Sequence, residues 1–488
     1  MSNHFRFMAV LIVSIAFVGP LRLLGQAGNP AAPPSPPATP PAAPASPQAT
    51  PGAAPTAPAA APAAPAASGN PTVALLKQGH TESVRAKAAQ DLGKQGDVST
   101  IPALTDALND PSPKVRREVV LALAQFHLPL VLPPLEQAAK DVDDGVRIAA
   151  VQCLTGYYSG VLPKSGITGF MSRNWQRATS HFQVDDTKVD PGVAVDPTVV
   201  TTLIGVMKDT RSNSASREAA KALGILLAKP AAPDLVAAAH SSDTDLAREA
   251  LNALSKIKDI DSGPKLVDLL DSPNKDVKRD ACVTLGILRA NEALPKLQTI
   301  FQTDSDEKTK VAAMQGLAYL GDKVTVPIFT KALWNENKDI RQGAAEGLAR
   351  AADPTSRSEL EKAVTAEKDS SAKLAMQFAL TALGKEDALN DMVSELSSKI
   401  RGDVASAYLI ELSRNPAFLS KLYPYLQSPD NAIRRRICIV LMYSGDQGSL
   451  QQLDRLEHDS DNDVAAAALR AKRAIRTRLG TAAPPAKS

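Results

Sequence analysis

The chain has 488 residues, only 4% of them aromatic, with 55 basic and 52 acidic residues and a formal net charge of +3. Arg6 and Arg22 are the only charges in the first 70 residues, so the rest is nearly neutral, which argues against the clustered basic surface of a nucleic-acid-binding protein. Three widely separated cysteines, Cys153, Cys282 and Cys438, fit neither a disulfide framework nor a zinc-ligand spacing.

Chain order begins with a polar start at His4 and Arg6, an apolar run from Phe7 to Val18, a Gly19-Pro20 break, and small residues at Gly25 and Ala27. This is the pattern of a secretory signal over residues 1–27, cleaved after Ala27. The run is shorter than the roughly 20 residues of a membrane-spanning helix. An uncleaved anchor facing outside the cytoplasm is the alternative reading. Residues 28–70 form a Pro/Ala-rich linker, with 15 prolines between Pro30 and Pro71 and no charge. Such a segment buries too little apolar surface to fold. In polyproline II form, at about 3.1 Å per residue, it reaches roughly 130 Å. It reads either as a spacer from an envelope surface or as an inert leader.

From residue 71 a helical signature recurs: VRAKAAQDLG from Val84, VRREVVLALA from Val115, VRIAAVQCLT from Val146, VKRDACVTLG from Val277, IRQGAAEGLA from Ile340 and IRRRICIVLM from Ile433. Weaker copies start at Ser216, Ala247, Thr309, Val404 and Val464, with a degenerate one near Ala372. Apart from one 69-residue gap, the second positions of the copies are 29 to 33 residues apart. Small or apolar residues follow at i+3, i+4 and i+7, as in Ala88, Ala89 and Leu92, which is one face of an α-helix. Cys282 and Cys438 occupy the i+4 slot, elsewhere mostly alanine, and read as small core side chains.

Proline gives a second ruler. Pro71, Pro102 and Pro133 are 31 apart, as are Pro233, Pro264 and Pro295, with Pro327 next. Each opens an apolar-periodic stretch, and proline suits a first helical turn. These helices are read as the second of each pair. Two helices every 31 residues, about twelve times over, predict an all-α, right-handed α-solenoid across residues 71–480, with a disordered tail at 481–488.

The D…VRxxAAxALG pattern followed by a proline-led helix resembles the HEAT repeat family, and most of all its short bacterial, phycobilisome lyase-like form. The resemblance implies an Asp/Arg ladder between adjacent repeats, with Arg85, Arg116, Arg147, Arg341 and Arg434 at the arginine position. Lys278 and Lys310 are conservative there. Ala247, Ala405 and Ala465 depart from the pattern, so the ladder is expected to break in the C-terminal half.

The 69-residue gap is one period plus 38 residues. Proline spacing places about 33 of them between the helices of the third repeat, near 157–196, and about five near Thr210 to Ala215. The larger insertion carries Tyr157, Tyr158, Phe170, Arg173, Trp175, Arg177 and Phe182. Insertions in repeat proteins often form the binding face, and aromatics with arginine are typical of interaction hot spots. These seven residues are the candidate partner-binding set. Folding back to patch the disturbed stack is the competing reading.

No catalytic constellation, phosphate loop, metal-ligand spacing or cofactor motif emerges. The basic residues Arg470, Lys472, Arg473, Arg476 and Arg478 read as the polar face of a capping repeat. The expected function is a non-enzymatic, secreted or periplasmic scaffold for a protein or peptide partner, with neither cofactor nor nucleic acid. The alternatives are a lyase-like or chaperone role on a tetrapyrrole, implied by the resemblance alone, and a structural envelope spacer.

Overall fold

The computed structural model describes residues 70–162, 189–190 and 193–480. The chain divides into residues 1–66 and 67–488, and every described residue belongs to the second unit. The signal segment, all but the last residue of the linker, and the C-terminal tail therefore lie outside the described residues.

Among the described residues, helices follow one another in twelve pairs. The first five are α1 (Pro71–Gln78) with α2 (Glu82–Gln95), α3 (Ile101–Asp106) with α4 (Pro113–Ala124), α5 (Leu132–Ala138) with α6 (Asp144–Ser159), α7 (Pro197–Met207) with α8 (Asn213–Ile225), and α9 (Ala232–Ala239) with α10 (Thr244–Ile257). A 3₁₀ helix at Ile260–Asp271 takes the next first place and precedes α11 (Lys275–Ile287). Then come α12 (Leu294–Thr303) with α13 (Glu307–Leu320), α14 (Val326–Ala332) with α15 (Lys338–Ala351), and α16 (Arg357–Ala366) with α17 (Ser370–Ala382). The last are α18 (Glu386–Ser394) with α19 (Gly402–Leu412), α20 (Pro416–Leu419) with α21 (Asn431–Ser444), and α22 (Gln447–Asp454) with α23 (Asn462–Arg478). The described residues contain no strand.

Local chemistry sets these boundaries. Thr81, Asp143, Asp243, Asn274, Asp306, Asp369 and Asp461 each accept a main-chain N–H from the first turn of an arginine-led helix. Such caps are worth about 1 kcal/mol each. Several of the same helices end on a left-handed residue. Glycine fills that slot at Gly96, Gly160, Gly321 and Gly384, whereas His127, Leu227, Lys258, Arg289 and Ala352 occupy it at positive φ.

Two sequence expectations change here. From α1 to α15, each proline-led helix packs on the arginine-led helix that follows it and much less on the one before. The proline-led helix is thus the first of each pair. Proline marks a helix start in either phase, and only packing tells the two apart. The large insertion consequently lies between the third and fourth pairs, after α6 and before α7, and not inside the third. The smaller excess is not a loop: α7 has 11 residues where α5 has 7 and α9 has 8. Pro197 starts α7 at the place where 3₁₀ turns, Pro129–Val131 and Lys229–Ala231, precede α5 and α9.

The arginine-led helices stack side by side, and the closest approaches fall where small residues meet. A Cβ placed on Gly93 would lie 2.8 Å from Ala122 Cα, and one on Gly224 2.7 Å from Ala253 Cα. At Gly286 and Gly316 there is room for no side chain, because each would overlap the neighbouring main chain. The stack is close everywhere except between α17 and α19, which touch only marginally.

Two substitutions probe these features. Gly316→Ala should destabilise the protein by roughly 1–3 kcal/mol, through overpacking against Cys282 O in α11. Ala352→Gly should raise stability by up to about 1 kcal/mol, because exposed Ala352 sits at φ 49° and glycine relieves that strain. Chemical denaturation reads both, and a destabilised Ala352→Gly variant would contradict the second.

Candidate binding channel

Adjacent repeats are tied by ion pairs that span the turns. Arg85 Nε and Nη2 donate to the two carboxylate oxygens of Asp110 at 2.6 and 2.9 Å, and Nη1 donates to the Gly79 carbonyl of its own turn at 3.0 Å. Arg116 repeats this with Asp141 at 2.7 Å for both bonds, and Arg434 with Asp459 at 2.8 Å for both. Arg341 uses Glu367 at 2.6 and 2.8 Å. The acceptor carboxylates take main-chain N–H groups as well, Ser112 on Asp110 and Asp143 on Asp141. Burial pushes the Asp110 and Asp141 carboxyls up, but hydrogen bonds from the arginine and the turn outweigh it, so both titrate below the ordinary aspartate range.

Arg147 is a correction: it is no rung to the next repeat. Its guanidinium donates to the Asp141 and Val142 carbonyls at 2.7 and 3.2 Å and to Asp144, all in its own repeat, and its buried Nε has no partner. In the turn after α7, Asp209 is held instead by Arg211. Hydrogen bonds from Arg211 draw the Asp209 carboxyl down to about 2. The interrupted register after α6 separates Arg147 from its acceptor. In the middle repeats the pairing shifts one position along, to Arg217 with Asp243, Arg248 with Asp280, and Arg279 with Asp306. Lys278 reaches Asp304 at 3.5 Å, while Lys310 stays within its own helix on Glu307. Rungs therefore persist in the C-terminal half at Arg341 and Arg434, and are interrupted rather than lost.

The arginine-led helices wall a cavity of about 1490 Å³ that runs from Tyr158 in α6 to Arg470 in α23. An ion pair between Arg470 and Asp190, at 2.8 Å, joins the last helix to the chain before α7. Its two side chains are 58% and 40% exposed, so it contributes at most about 1 kcal/mol.

One wall holds a polar cluster. Arg350 in α15 lies 4.4 Å above the Tyr319 ring, donates to Glu411 at 2.8 and 3.0 Å, and pairs with Glu346 at 3.4 Å. Tyr408 in α19 donates to Glu346 at 2.5 Å and stacks on Phe378 of α17, with 4.4 Å between centroids. Burial opposes the Arg350 charge, but Glu346 and Glu411 outweigh it and raise its pKa further. Burial likewise raises Glu411, and Arg350 outweighs it, so that carboxyl titrates low. Burial next to the Glu346 charge pushes the Tyr408 hydroxyl well above its ordinary value. No motif marks these residues in the sequence. The available signal is that Glu346 and Tyr408 stand 62 residues apart, which is two periods.

Of the candidate partner-binding residues, Tyr157 and Tyr158 are described. Their rings meet edge to face at 4.9 Å, and Tyr158 Oη accepts the Asp196 N–H at 3.1 Å. Tyr158 lines the cavity and Tyr157 does not. Phe170, Arg173, Trp175, Arg177 and Phe182 lie outside the described residues. In the basic C-terminal run, Lys472 pairs with Asp454 and Glu457, and Arg478 caps the Met442 and Gly445 carbonyls. All three cysteines are fully buried, and burial pushes their thiols up to about 12, far from thiolate reactivity. Among the described residues no group of His, Cys, Asp or Glu is placed to hold a metal ion, and no helix is long and apolar enough to cross a membrane.

A family profile described as HEAT repeats matches residues 70–155, 232–318 and 294–381. Residues 70–155 and 232–381 are therefore HEAT repeats. The fold is a HEAT-repeat α-solenoid, an architecture that commonly serves as a protein-interaction scaffold and is typically non-enzymatic. Among solved structures, an engineered protein is 18% identical, over 83% of this chain and 99% of that one, with a TM-score of 0.35. YibA of Escherichia coli is 17% identical over 62% and 96%, with a TM-score of 0.36. A chain from work on the phosphorylation switch that controls the interaction between cadherin and beta-catenin is 16% identical over 83% and 100%, with a TM-score of 0.33. At these scores the likenesses say nothing about function. No curated protein matches the sequence.

The rungs predict an acid limit. Their carboxyls titrate lower folded than unfolded, so their stabilisation is complete above the unfolded aspartate value near 3.9 and is lost as pH falls below it. Thermal melts should show a plateau down to about pH 5 and a steep fall below about pH 4. The triple variant Asp110→Asn, Asp141→Asn, Asp459→Asn should lose roughly 1.5–3 kcal/mol per rung at neutral pH and show a shallower acid limb. An acid limb as steep as the parent's would rule the rungs out as its source.

Proposed function

We propose that this protein is a non-enzymatic extracytoplasmic scaffold that binds a protein or peptide partner along the channel walled by its arginine-led helices. The observation that carries the reading is the continuous cavity of about 1490 Å³, with a wall that mixes tyrosines, aliphatic side chains and charges of both signs. Pockets for small ligands are typically about 300–1,000 Å³ and mostly apolar. A larger channel, with charged and hydrogen-bonding side chains set among apolar ones, suits an extended chain, whose main-chain groups need donors and acceptors along its length. The extracytoplasmic part rests on the signal pattern in residues 1–27. The aromatic insertion joins the reading through Tyr158, which stands on the channel wall.

Site-specific photocrosslinking in the source cell tests it. A crosslinker at exposed, channel-lining Asn252 should trap a discrete partner. One at exposed Lys265, on the proline-led layer and outside the channel lining, should not. Fractionation should place the adducts outside the cytoplasm. Equal trapping at both positions, or adducts confined to the cytoplasm, would sink the proposal.

A further inference from the structure

Along most of the solenoid, adjacent arginine-led helices interlock too closely to roll on one another, as where Gly286 and Gly316 meet main chain to main chain. The junction of α17 with α19 lacks this contact. There α18 also departs from the pairing rule, because it packs on α17 rather than on α19. The chain crosses to α19 through residues 398–401, where Lys399 and Ile400 are exposed. Beyond the crossing, α19, α21 and α23 stack on one another again. Among the described residues this junction is the weak joint of the stack, with packed helices on both sides.

The contacts that do span the joint are polar or flat. Arg350 holds Glu411 through two parallel hydrogen bonds, and Tyr408 donates to Glu346 while its ring lies 4° from parallel on Phe378. On the outer layer Lys421 pairs with exposed Glu386, and Tyr425 donates to Asn390. Stacked rings slide and long side chains follow a rotation, whereas interlocked small residues do neither. The joint also divides the channel. Asn252, Gln315 and Gln342 line it on one side of the joint, and Asp403, Arg436 and Arg470 on the other. The two sides meet again far from the joint, near Tyr158 and Asp190. There α23 makes no extensive contact with α6, α7 or α8, and the Arg470 pair with Asp190 closes the gap. That pair is exposed, so it is weak and screened by salt.

We propose that residues 402–478 form a jaw that swings on the junction of α17 with α19, with the Arg350 cluster as its pivot, and opens the channel along the seam closed by Arg470 and Asp190. The opening is a property of the solenoid alone. Its use as the sideways entrance for an extended polypeptide, which then needs no free end to thread, rests on the channel being the binding surface.

Distances between spin labels, read by double electron–electron resonance on the full chain, test the jaw. All three native cysteines are buried, so labels go to cysteines introduced at exposed positions. Val161→Cys with Leu469→Cys spans the seam, Val98→Cys with Leu130→Cys lies on one side of the joint, and Ser420→Cys with Leu469→Cys lies within the jaw. At low salt the seam pair should show a short distance, and raising the salt should bring in a second, longer one. Arg470→Glu sets two carboxylates against each other at the surface. It should melt as the parent does and raise the ratio of long to short seam distances about fivefold or more, the factor carried by one lost exposed ion pair at its upper strength. The other two distances should stay fixed throughout. A seam distance that ignores both salt and charge reversal would overturn the inference, as would a matching change inside the jaw, which would mean that the whole array flexes. Trapping at Asn252 reads the channel separately. Its failure with the distances as expected removes the channel reading and leaves the jaw, and fixed distances with trapping intact remove only the jaw.

Discussion

Everything in this solenoid depends on how closely one arginine-led helix can lie against the next. Where Gly93 meets Ala122, Gly224 meets Ala253, and Gly286 meets Gly316, main chains approach at distances that no side chain tolerates. That spacing sets a second distance. It brings the turn before one helix within reach of an arginine on the previous helix, so Arg85 can grip both its own Gly79 carbonyl and Asp110 of the next turn. A repeat with a bulky residue at the crossing would lose the contact and the rung together. The ladder is thus a consequence of the packing, and it adds orientation to an interface whose free energy comes mainly from buried Ala, Val and Leu side chains.

Two departures from this rule show what replaces it. After α6 the register is broken, Arg147 turns back on its own repeat, and its Nε is left buried without a partner. The junction is held by different bonds, Ser212 to Asp144 at 2.7 Å and Gln152 to Glu218 at 3.0 Å. Between α17 and α19 the helices hardly pack. There the stack is bridged from α15 directly to α19, by Arg350 on Glu411 and Tyr408 on Glu346, with Phe378 of α17 held beneath the Tyr408 ring. A buried, multiply hydrogen-bonded cluster stands where apolar packing fails.

The repeat fold was legible because helix periodicity and proline position are local properties, written into each 31-residue unit. The phase of the pairs was not legible. A proline at a helix start says nothing about which neighbour the helix joins, so the insertion was placed inside a pair when it lies between two. Pro197 sits one turn earlier than the other ruler prolines, where neighbouring repeats have a 3₁₀ turn, so spacing measured from it overstates the turn that follows α7. At the site, Tyr158 was legible as one of the aromatics at the long break in the repeat. Tyr319, Arg350, Tyr408 and Glu411 were not, because each sits in an ordinary helical register. Their meeting depends on a curvature that brings residues two periods apart into contact.

That curvature explains why the Arg350 cluster matters for the channel. Nearest-neighbour rungs fix each step of the solenoid, but small errors in each step accumulate along the array. A contact that skips a repeat constrains their sum. The Arg470 pair with Asp190 also spans distant parts of the chain, yet it is exposed and worth little. The Arg350 cluster is buried, and removing the arginine alone would leave two carboxylates facing each other, at a cost of about 3–5 kcal/mol. It stands on the channel wall, where Arg350 holds α15 to α19 through Glu411.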